Sequence, residues 1–328
     1  MKKINSQKKW QDLVSGFSGK TILVIGDIML DEYIWGEVER ISPEAPVPVV
    51  RVTSESWVLG GAANVANNIC SLGGRAVLAG MIGPDPAGRR LKKLLRHSKI
   101  DGRGLVAERG RPTITKSRVL AGHQQVVRID KEDSSSLKKS ESERLLRLVR
   151  ELINEVEGIV LEDYAKGIVS QELVDELSRL ARGKGRFLVV DPNQKNVFTY
   201  RDVMLVTPNR KEALSASGMN REAKVEAIGR GLLKQWGCRA VLLTLGEDGM
   251  CLFEAGKKPH YIPTVAREVY DVSGAGDTVV STAALALASG ANLQEAAHLA
   301  NCAAGVVVGK LGTATVTRDE LLGALDWQ

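Results

Sequence analysis

The run Asp271-Val272-Ser273-Gly274-Ala275-Gly276-Asp277-Thr278 sets two acids around a turn of residues with little or no side chain. Two residues of Gly274-Ala275-Gly276 lack a Cβ, which lets backbone N–H groups come close to a ligand. A long small-residue helical pattern follows, Val279 to Ser289. If a helix opens here, its unsatisfied N–H donors and the positive end of its dipole suit an anion. Asp277, in the first turn, would face the same anion. A carboxylate there can accept the proton of an attacking hydroxyl while charge spreads over a phosphoryl group. Composition alone also allows a plainer reading, in which Asp277 caps a helix and the glycines make a turn.

Two further places carry acids at informative spacing. Asn209 and Glu212, in Thr207-Pro208-Asn209-Arg210-Lys211-Glu212, are three apart and share one helical face. By themselves they read as a helix N-cap with its capping box. Gly26-Asp27-Ile28-Met29-Leu30-Asp31 closes a strand pattern. Ligands of open parallel sheets bind beyond the carboxyl ends of the strands. Asp27 and Asp31 are therefore placed either to accept bonds from sugar hydroxyls or to cap a turn.

The elements that must position these residues alternate in type. Buried parallel strands are predicted at Thr21–Gly26, Ala76–Ile82, Gly158–Leu161, Phe187–Val190, Val203–Val206 and Ala240–Thr244. Helices are predicted at Ala62–Leu72, Leu137–Val156, Val169–Arg182, Arg221–Trp236, Ala275–Ser289 and Leu293–Val308. This alternation predicts an α/β fold, a mostly parallel central sheet flanked by helices on both faces. Tyr33–Thr53 and Arg103–Asp130 break the pattern with prolines and short β-forming runs. They are expected to form a small antiparallel β flap that projects over a substrate. No internal repeat or low-complexity linker appears, so residues 1–328 are expected to be a single domain carrying these insertions.

Composition narrows the partners. Lysine plus arginine exceed aspartate plus glutamate by 45 to 39, giving +6. The basic residues are spread along the chain, unlike the stripe of a nucleic-acid binder, and suit small anionic substrates. No nucleic-acid or membrane partner is expected. Four dispersed cysteines (70, 238, 251 and 302) form no CxxC pattern, which fits a reducing, cytoplasmic setting. The basic stretch Met1 to Lys20 lacks the apolar block of a secretory signal. No GxxxxGK-type phosphate loop and no strand-borne GxGxxG occurs, so a nucleotide would need another cradle.

The eight-residue string 271–278 resembles the C-terminal signature of the ribokinase-like, or phosphofructokinase-B, sugar kinases. The resemblance implies a ribokinase-like core and ATP-dependent transfer to a sugar alcohol. Asp277 would be the catalytic base, and the amides of Gly274, Ala275 and Gly276 the anion hole. It also implies that Glu212, with Asn209, acts through water on the Mg²⁺ that travels with ATP. Thr244, Gly246 and Gly249 would line the nucleotide site, though 246–249 also reads as a hairpin turn. Asn301 would lie by the adenine, or be an ordinary polar helix residue. Gly60, Gly61 and Asn64, in Gly60-Gly61-Ala62-Ala63-Asn64, resemble the N-terminal signature that contacts the sugar. A monovalent cation, K⁺, beside Asp271 and the loop 309–312 is implied by the family alone.

Within that family the chain is most similar to the heptose 7-phosphate kinases of bacterial ADP-heptose and lipopolysaccharide core synthesis. Gly26 to Val50, with Ile41-Ser42-Pro43-Glu44-Ala45-Pro46, carries this resemblance, as do Thr113 to Arg118, Asp163-Tyr164-Ala165-Lys166-Gly167 and Val306 to Val316. It implies phosphorylation of D-glycero-β-D-manno-heptose 7-phosphate at its 1-hydroxyl. Lys116, Arg118, Arg128 and Lys166 would suit the terminal phosphate, as arginine and lysine generally do, although exposed basic residues are also common on flaps. Asp163 and Lys166, after a strand, are expected to contact the sugar. Bimodular relatives add a nucleotidyltransferase marked by HxGH; this sequence has no HxGH, so a kinase that stops at the bisphosphate is expected. Asp191-Pro192-Asn193 also departs from the Asp-Pro-Lys of bimodular forms, so no basic ligand is expected at Asn193. The flap's exposed edge suggests a homodimer. A sensor that binds without catalysis, or a kinase for another sugar, are the alternatives.

Overall fold

The protein is described by a computed structural model covering residues 2–122, 124–266 and 268–325, with side chains from residue 7 onward. Met1 of the basic leader, His123 of the expected flap segment and Gln328 lie outside the described residues. In chain order the elements are α1 (Lys2–Ser15), β1 (Thr21–Gly26), β2 (Ile28–Ile41), β3 (Pro48–Gly61), α2 (Ala62–Ser71), β4 (Arg75–Ile82), α3 (Pro86–His97), β5 (Asp101–Ala107), β6 (Ile114–Ala121) and β7 (Gln124–Lys131). Then come α4 (Lys139–Leu152), β8 (Gly158–Glu162), α5 (Gln171–Gly183), β9 (Phe187–Asp191), β10 (Leu205–Val206), α6 (Arg210–Ser217) and α7 (Val225–Trp236). The chain closes through β11 (Ala240–Thr244), β12 (Met250–Glu254), β13 (His260–Ile262), α8 (Ala275–Ala288), α9 (Leu293–Val307) and α10 (Arg318–Leu325).

Among the described residues the main sheet has nine strands in the order β13-β12-β11-β10-β9-β8-β1-β4-β5. It is parallel from β5 to β11, and β12 and β13 close it antiparallel. Side chains alternate across a strand, so one apolar run feeds two cores. Ile22 and Val24 join the cluster under α2, α8 and α9, whereas Leu23 and Ile25 join the cluster under α4, α5 and α7. Each of these four is fully buried, a contribution of roughly 1.5–3 kcal/mol per side chain.

The flap is a separate four-stranded sheet, β3-β2-β6-β7. Two antiparallel hairpins, β2–β3 and β6–β7, are joined by a parallel pairing of β2 with β6. Its bounds differ from the expected ones in two places. The first hairpin runs through residues 28–61, because the apolar stretches around Ile28–Leu30 and Trp57–Leu59 continue as strand while leaving the core. Residues 101–107 belong to the main sheet instead, where β5 pairs with β4 and buries Val106. The helix expected from Arg221 begins at Val225, and the strand expected at Val203–Val206 shortens to two residues.

Candidate active site

Asp277 stands in the first turn of α8, and Gly274 is that helix's N-cap at φ 80. A left-handed residue here favours glycine, and an added Cβ would also come within 3.1 Å of the Asn64 amide nitrogen. The N–H of Ala275 turns back to the Val272 carbonyl at 3.2 Å. The N–H of Gly276 has no intrahelical carbonyl to reach, and that of Asp277 turns to its own carboxylate. Of the three amides expected to form the anion hole, that of Ala275 is thus engaged within the turn.

Small side chains let α8 pack directly against α2. Ser281 Oγ donates to the Val65 carbonyl at 3.0 Å, and Thr278 Oγ1 donates to Asn68 Oδ1 at 3.1 Å. This packing brings the start of α2 onto the start of α8. Asn64 Nδ2 donates to Asp277 Oδ2 at 2.6 Å, and the Tyr164 hydroxyl donates to Asp277 Oδ1 at 2.9 Å. Asp277 is 4% exposed. Burial raises its carboxyl to about 6, against the pull of these two donors. Burial likewise carries Tyr164 well above its ordinary range, so the phenol stays a donor.

Two acids that sequence reasoning missed stand beside Asp277. Glu162 ends β8 and Asp191 ends β9, and each offers a carboxylate oxygen within 4.8 Å of one on Asp277. Burial raises both well above the carboxylate range, and the neighbouring acids add to it. Thr207 donates to Asp191 at 2.6 Å, while Glu162 Oε2 is buried without a hydrogen-bond partner. An orphaned carboxylate oxygen among converging acids fits a divalent cation. The usable signal was the position of both residues at the carboxyl ends of predicted parallel strands.

Asn209 and Glu212 form the capping box the spacing predicts. Asn209 Oδ1 accepts from the N–H groups of Lys211 and Glu212, and Glu212 Oε2 accepts from Asn209 N at 2.7 Å. Glu212 is nonetheless close enough to the acidic cluster to raise Asp191 and Glu162. The cap therefore leaves the Glu212 carboxylate within electrostatic reach of the acidic cluster.

A cleft of about 590 Å³ opens in front of the α8 turn. It is lined by Thr244, Gly246, Gly249 and Asn301 together with Ala275 and Gly276. The structure therefore brings four of the expected nucleotide residues, Thr244, Gly246, Gly249 and Asn301, to the turn at the start of α8. Residues 246–249 are also the β11–β12 turn, and the Asn301 side chain donates to the Pro263 carbonyl at 2.8 Å. Asp271 accepts from the N–H of Ser273 at 2.9 Å and of Gly312 at 3.1 Å, which ties the turn to the 309–312 loop.

The acceptor-side residues gather beyond β1 and β8. Asp31 accepts from Arg118 at 2.6 Å, and Gly60 is so close that an added Cβ would lie 2.4 Å from the Asp31 carboxylate. The Arg118 guanidinium stacks 5.3 Å from the Tyr33 ring centre, and Lys116 Nζ lies 5.9 Å from that of Tyr164. Burial, then the nearby Lys166, lowers the Lys116 ammonium. Lys166 is paired with Glu132 at 2.6 Å. Arg128 lies on the exposed strand β7 directly across from Arg118, and it pairs with Asp130, which stands across from Lys116.

Asp27 and Asp163 are both engaged with the 163–168 loop, Asp27 in the way the turn-capping alternative expects. Asp27 is fully buried, and its oxygens accept the N–H groups of Tyr164 at 2.9 Å, Lys166 at 3.0 Å and Ile168 at 3.4 Å. Burial raises its carboxyl despite those amides. Asp163 accepts from Ala165 N and Asn196 Nδ2, and burial raises it to about 6. Both carboxylates shape the 163–168 loop from within, because the loop's inward-pointing N–H groups need acceptors.

Comparison with known proteins places this geometry. The chain is 43% identical over 317 residues to the bifunctional protein HldE of Desulfatibacillum aliphaticivorans, covering 96% of this chain and 65% of that protein. It is 46% identical over 310 residues to the bifunctional protein HldE of Shewanella baltica, covering 94% and 64%. The chain thus spans somewhat under two thirds of the length of these relatives. Its fold matches Arabidopsis thaliana ribokinase complexed with ribose and ATP, with TM-score 0.72 and 20% identity, covering 95% of this chain and 100% of that one. It also matches Escherichia coli phosphofructokinase-2 in complex with potassium, with TM-score 0.73 and 20% identity, covering 94% and 99%. The description of the pfkB family of carbohydrate kinases matches residues 20–320. With a buried carboxylate in the first turn of α8, beside a cleft that this turn helps to line, the chain belongs to the pfkB family of carbohydrate kinases.

Proposed function

We propose that this kinase phosphorylates D-glycero-β-D-manno-heptose 7-phosphate at its anomeric 1-hydroxyl, giving the 1,7-bisphosphate for ADP-heptose synthesis. The observation that carries the reading is the placement of Lys116 and Lys166 at one loop: Lys116 Nζ lies 5.9 Å from the centre of the Tyr164 ring, and Lys166 stands two residues beyond Tyr164. Two adjacent ammonium groups next to the tyrosine that touches the base suit an acceptor with a phosphate at its far end. Arg118, now on Asp31, adds a third cation on the same flap strand, β6. The resemblance to heptose 7-phosphate kinases names the sugar.

In this reading Asp277 takes the proton of the 1-hydroxyl while that oxygen attacks the γ-phosphorus and ADP leaves. Asn64 and Tyr164 hold the carboxylate in line. The backbone N–H groups of Gly274 and Gly276, with that of Ala275 once it leaves the Val272 carbonyl, face the charge that builds on the transferred group. The flap covers the acceptor and excludes water. Glu162 and Asp191, with Glu212 at one remove, would hold Mg²⁺, which when bound shares the negative charge of the triphosphate. Residues 1–328 are read as a single catalytic unit, with K⁺ beside Asp271. A cytoplasmic homodimer completes the reading: Trp35, Val38, Ile41, Val127 and Ile129 leave exposed apolar area on the flap for a second copy. None of the described helices is long and apolar enough to cross a membrane.

The test is ADP release with both anomers of heptose 7-phosphate, unphosphorylated heptose, ribose and fructose 6-phosphate. Turnover of the β-anomer with a Lys116→Met variant raised in KM only for phosphorylated sugars supports the proposal. Turnover of another sugar with none of heptose 7-phosphate refutes it.

A further inference from the structure

We propose that Arg111 is a positioning residue for the sugar acceptor, fastening the 163–168 loop to the segment that leaves the flap after β7. The inference rests on the acceptor site described above and deepens it.

Arg111 is 8% exposed. Its Nη1 donates to the carbonyls of Asp133 at 3.2 Å and Lys166 at 3.4 Å, and its Nη2 donates to the Ser135 carbonyl at 2.7 Å. One side chain thus joins two segments distant in sequence. Two further ties run alongside: Leu137 N donates to the Gly167 carbonyl at 3.1 Å, and Lys166 pairs with Glu132. Arg111 is anchored in turn on the core. Two residues on, Thr113 N and Oγ1 donate to Asp85 at 3.0 and 2.8 Å, at the start of α3. The guanidinium therefore sits where core, flap and acceptor loop meet.

From the opposite side the same loop is gripped by buried Asp27 through its N–H groups. Carbonyls held by a cation and amides held by an anion fix both faces of one short loop. That loop carries Tyr164, which touches Asp277, and Lys166 of the acceptor cluster. A planar fork can serve several carbonyls at once, whereas a lysine offers one compact charge. No bond of Arg111 reaches the residues lining the nucleotide cleft. Its loss should separate the two substrates.

The experiment uses the full chain with Arg111→Lys, Arg111→Met and Glu132→Gln. Kinetics with heptose 7-phosphate and ATP are paired with hydrogen–deuterium exchange over residues 132–137 and 163–168. Arg111→Lys should raise KM for the acceptor about tenfold and leave KM for ATP within about threefold, as expected when one substrate's positioning alone is loosened. Exchange should quicken in those two segments and stay unchanged in 244–250 and 301–308. Arg111→Met should exceed Arg111→Lys; should it fail to fold, Arg111→Lys and Glu132→Gln still decide the matter. Unchanged exchange in both segments, or equal rises in the two KM values, would overturn the proposal. If wild-type protein does not turn over heptose 7-phosphate, the substrate assignment falls, and the exchange data alone judge Arg111.

Discussion

Replacing Asp277 by Asn removes the carboxylate while preserving its contacts. The new carbonyl can still accept from Asn64, and the new NH₂ can donate to the Tyr164 oxygen, so the bonds at 2.6 and 2.9 Å have counterparts. The stability effect follows from the raised carboxyl. Its pKa moves from 3.8 to about 6 on folding. A shift of about two units at about 1.36 kcal/mol each is on the order of 3 kcal/mol. The sign is unfavourable: the penalty is absent below the unfolded value near 4, grows with pH and is complete above 6. Asn escapes it, and the repulsion with Glu162 and Asp191 with it. Asp277→Asn should therefore melt no lower than wild type at pH 8, and the two should converge towards pH 4. Catalysis should move the other way. Loss of a positioned general base typically costs about 10²- to 10⁴-fold, or roughly 3–5 kcal/mol of barrier. The assays are steady-state ADP release at saturating substrates, ATP binding by calorimetry and scanning calorimetry at both pH values. A kcat within about fivefold of wild type would refute the assignment of the base. A melting temperature lowered by several degrees alongside lost activity would refute the argument that Asp277 is tolerated by the fold rather than required by it.

Other outcomes follow from the same geometry. At Gly276 an added Cβ would meet only Asp191 Oδ2, at 3.6 Å. Gly276→Ala should thus keep its melting temperature yet lose about tenfold or more in kcat, since the methyl crowds the open N–H groups; equal losses in stability and rate would contradict this. Asp27→Asn turns an amide NH₂ towards N–H groups that need an acceptor, so urea unfolding should show a loss of about 2–4 kcal/mol, and a loss below about 0.5 kcal/mol would contradict the loop-holding role. Because Asp277 must be ionised to act and burial raises it to about 6, kcat should fall as pH drops through about 6 and level off above it; an acid limb well below pH 5 would put the base elsewhere.

Much of this site was legible because its chemistry is local. Gly274 to Asp277 announces a turn, a helix start and a carboxylate within four consecutive residues, and Asn209 with Glu212 announces a cap. Glu162 and Asp191 carry no such spacing. They stand 115 and 86 residues before Asp277 in the sequence, and only the neighbouring order of β8 and β9 sets them side by side. Tyr164 and Arg111 were silent for the same reason: each acts on residues brought near by tertiary packing. Asp27 was read correctly as lying at a strand end, but its destination was decided by the donors of the loop above it. The flap was foreseen from prolines and short β-forming runs, while its boundaries were blurred because β2 and β3 are apolar where they leave the core. The sequence around Asp101–Ala107 likewise does not reveal which sheet it will join, since edge strands are short and only half buried.

One junction in the architecture has mechanical meaning. Strand β1 passes into β2 across Asp27 alone, and β3 runs straight into α2 at Gly61. The cover is therefore an outgrowth of the framework, with no slack tether at its root. At that root lies Asp27, the carboxylate that accepts the 163–168 loop's N–H groups, so the cover and the loop share one anchor in the core.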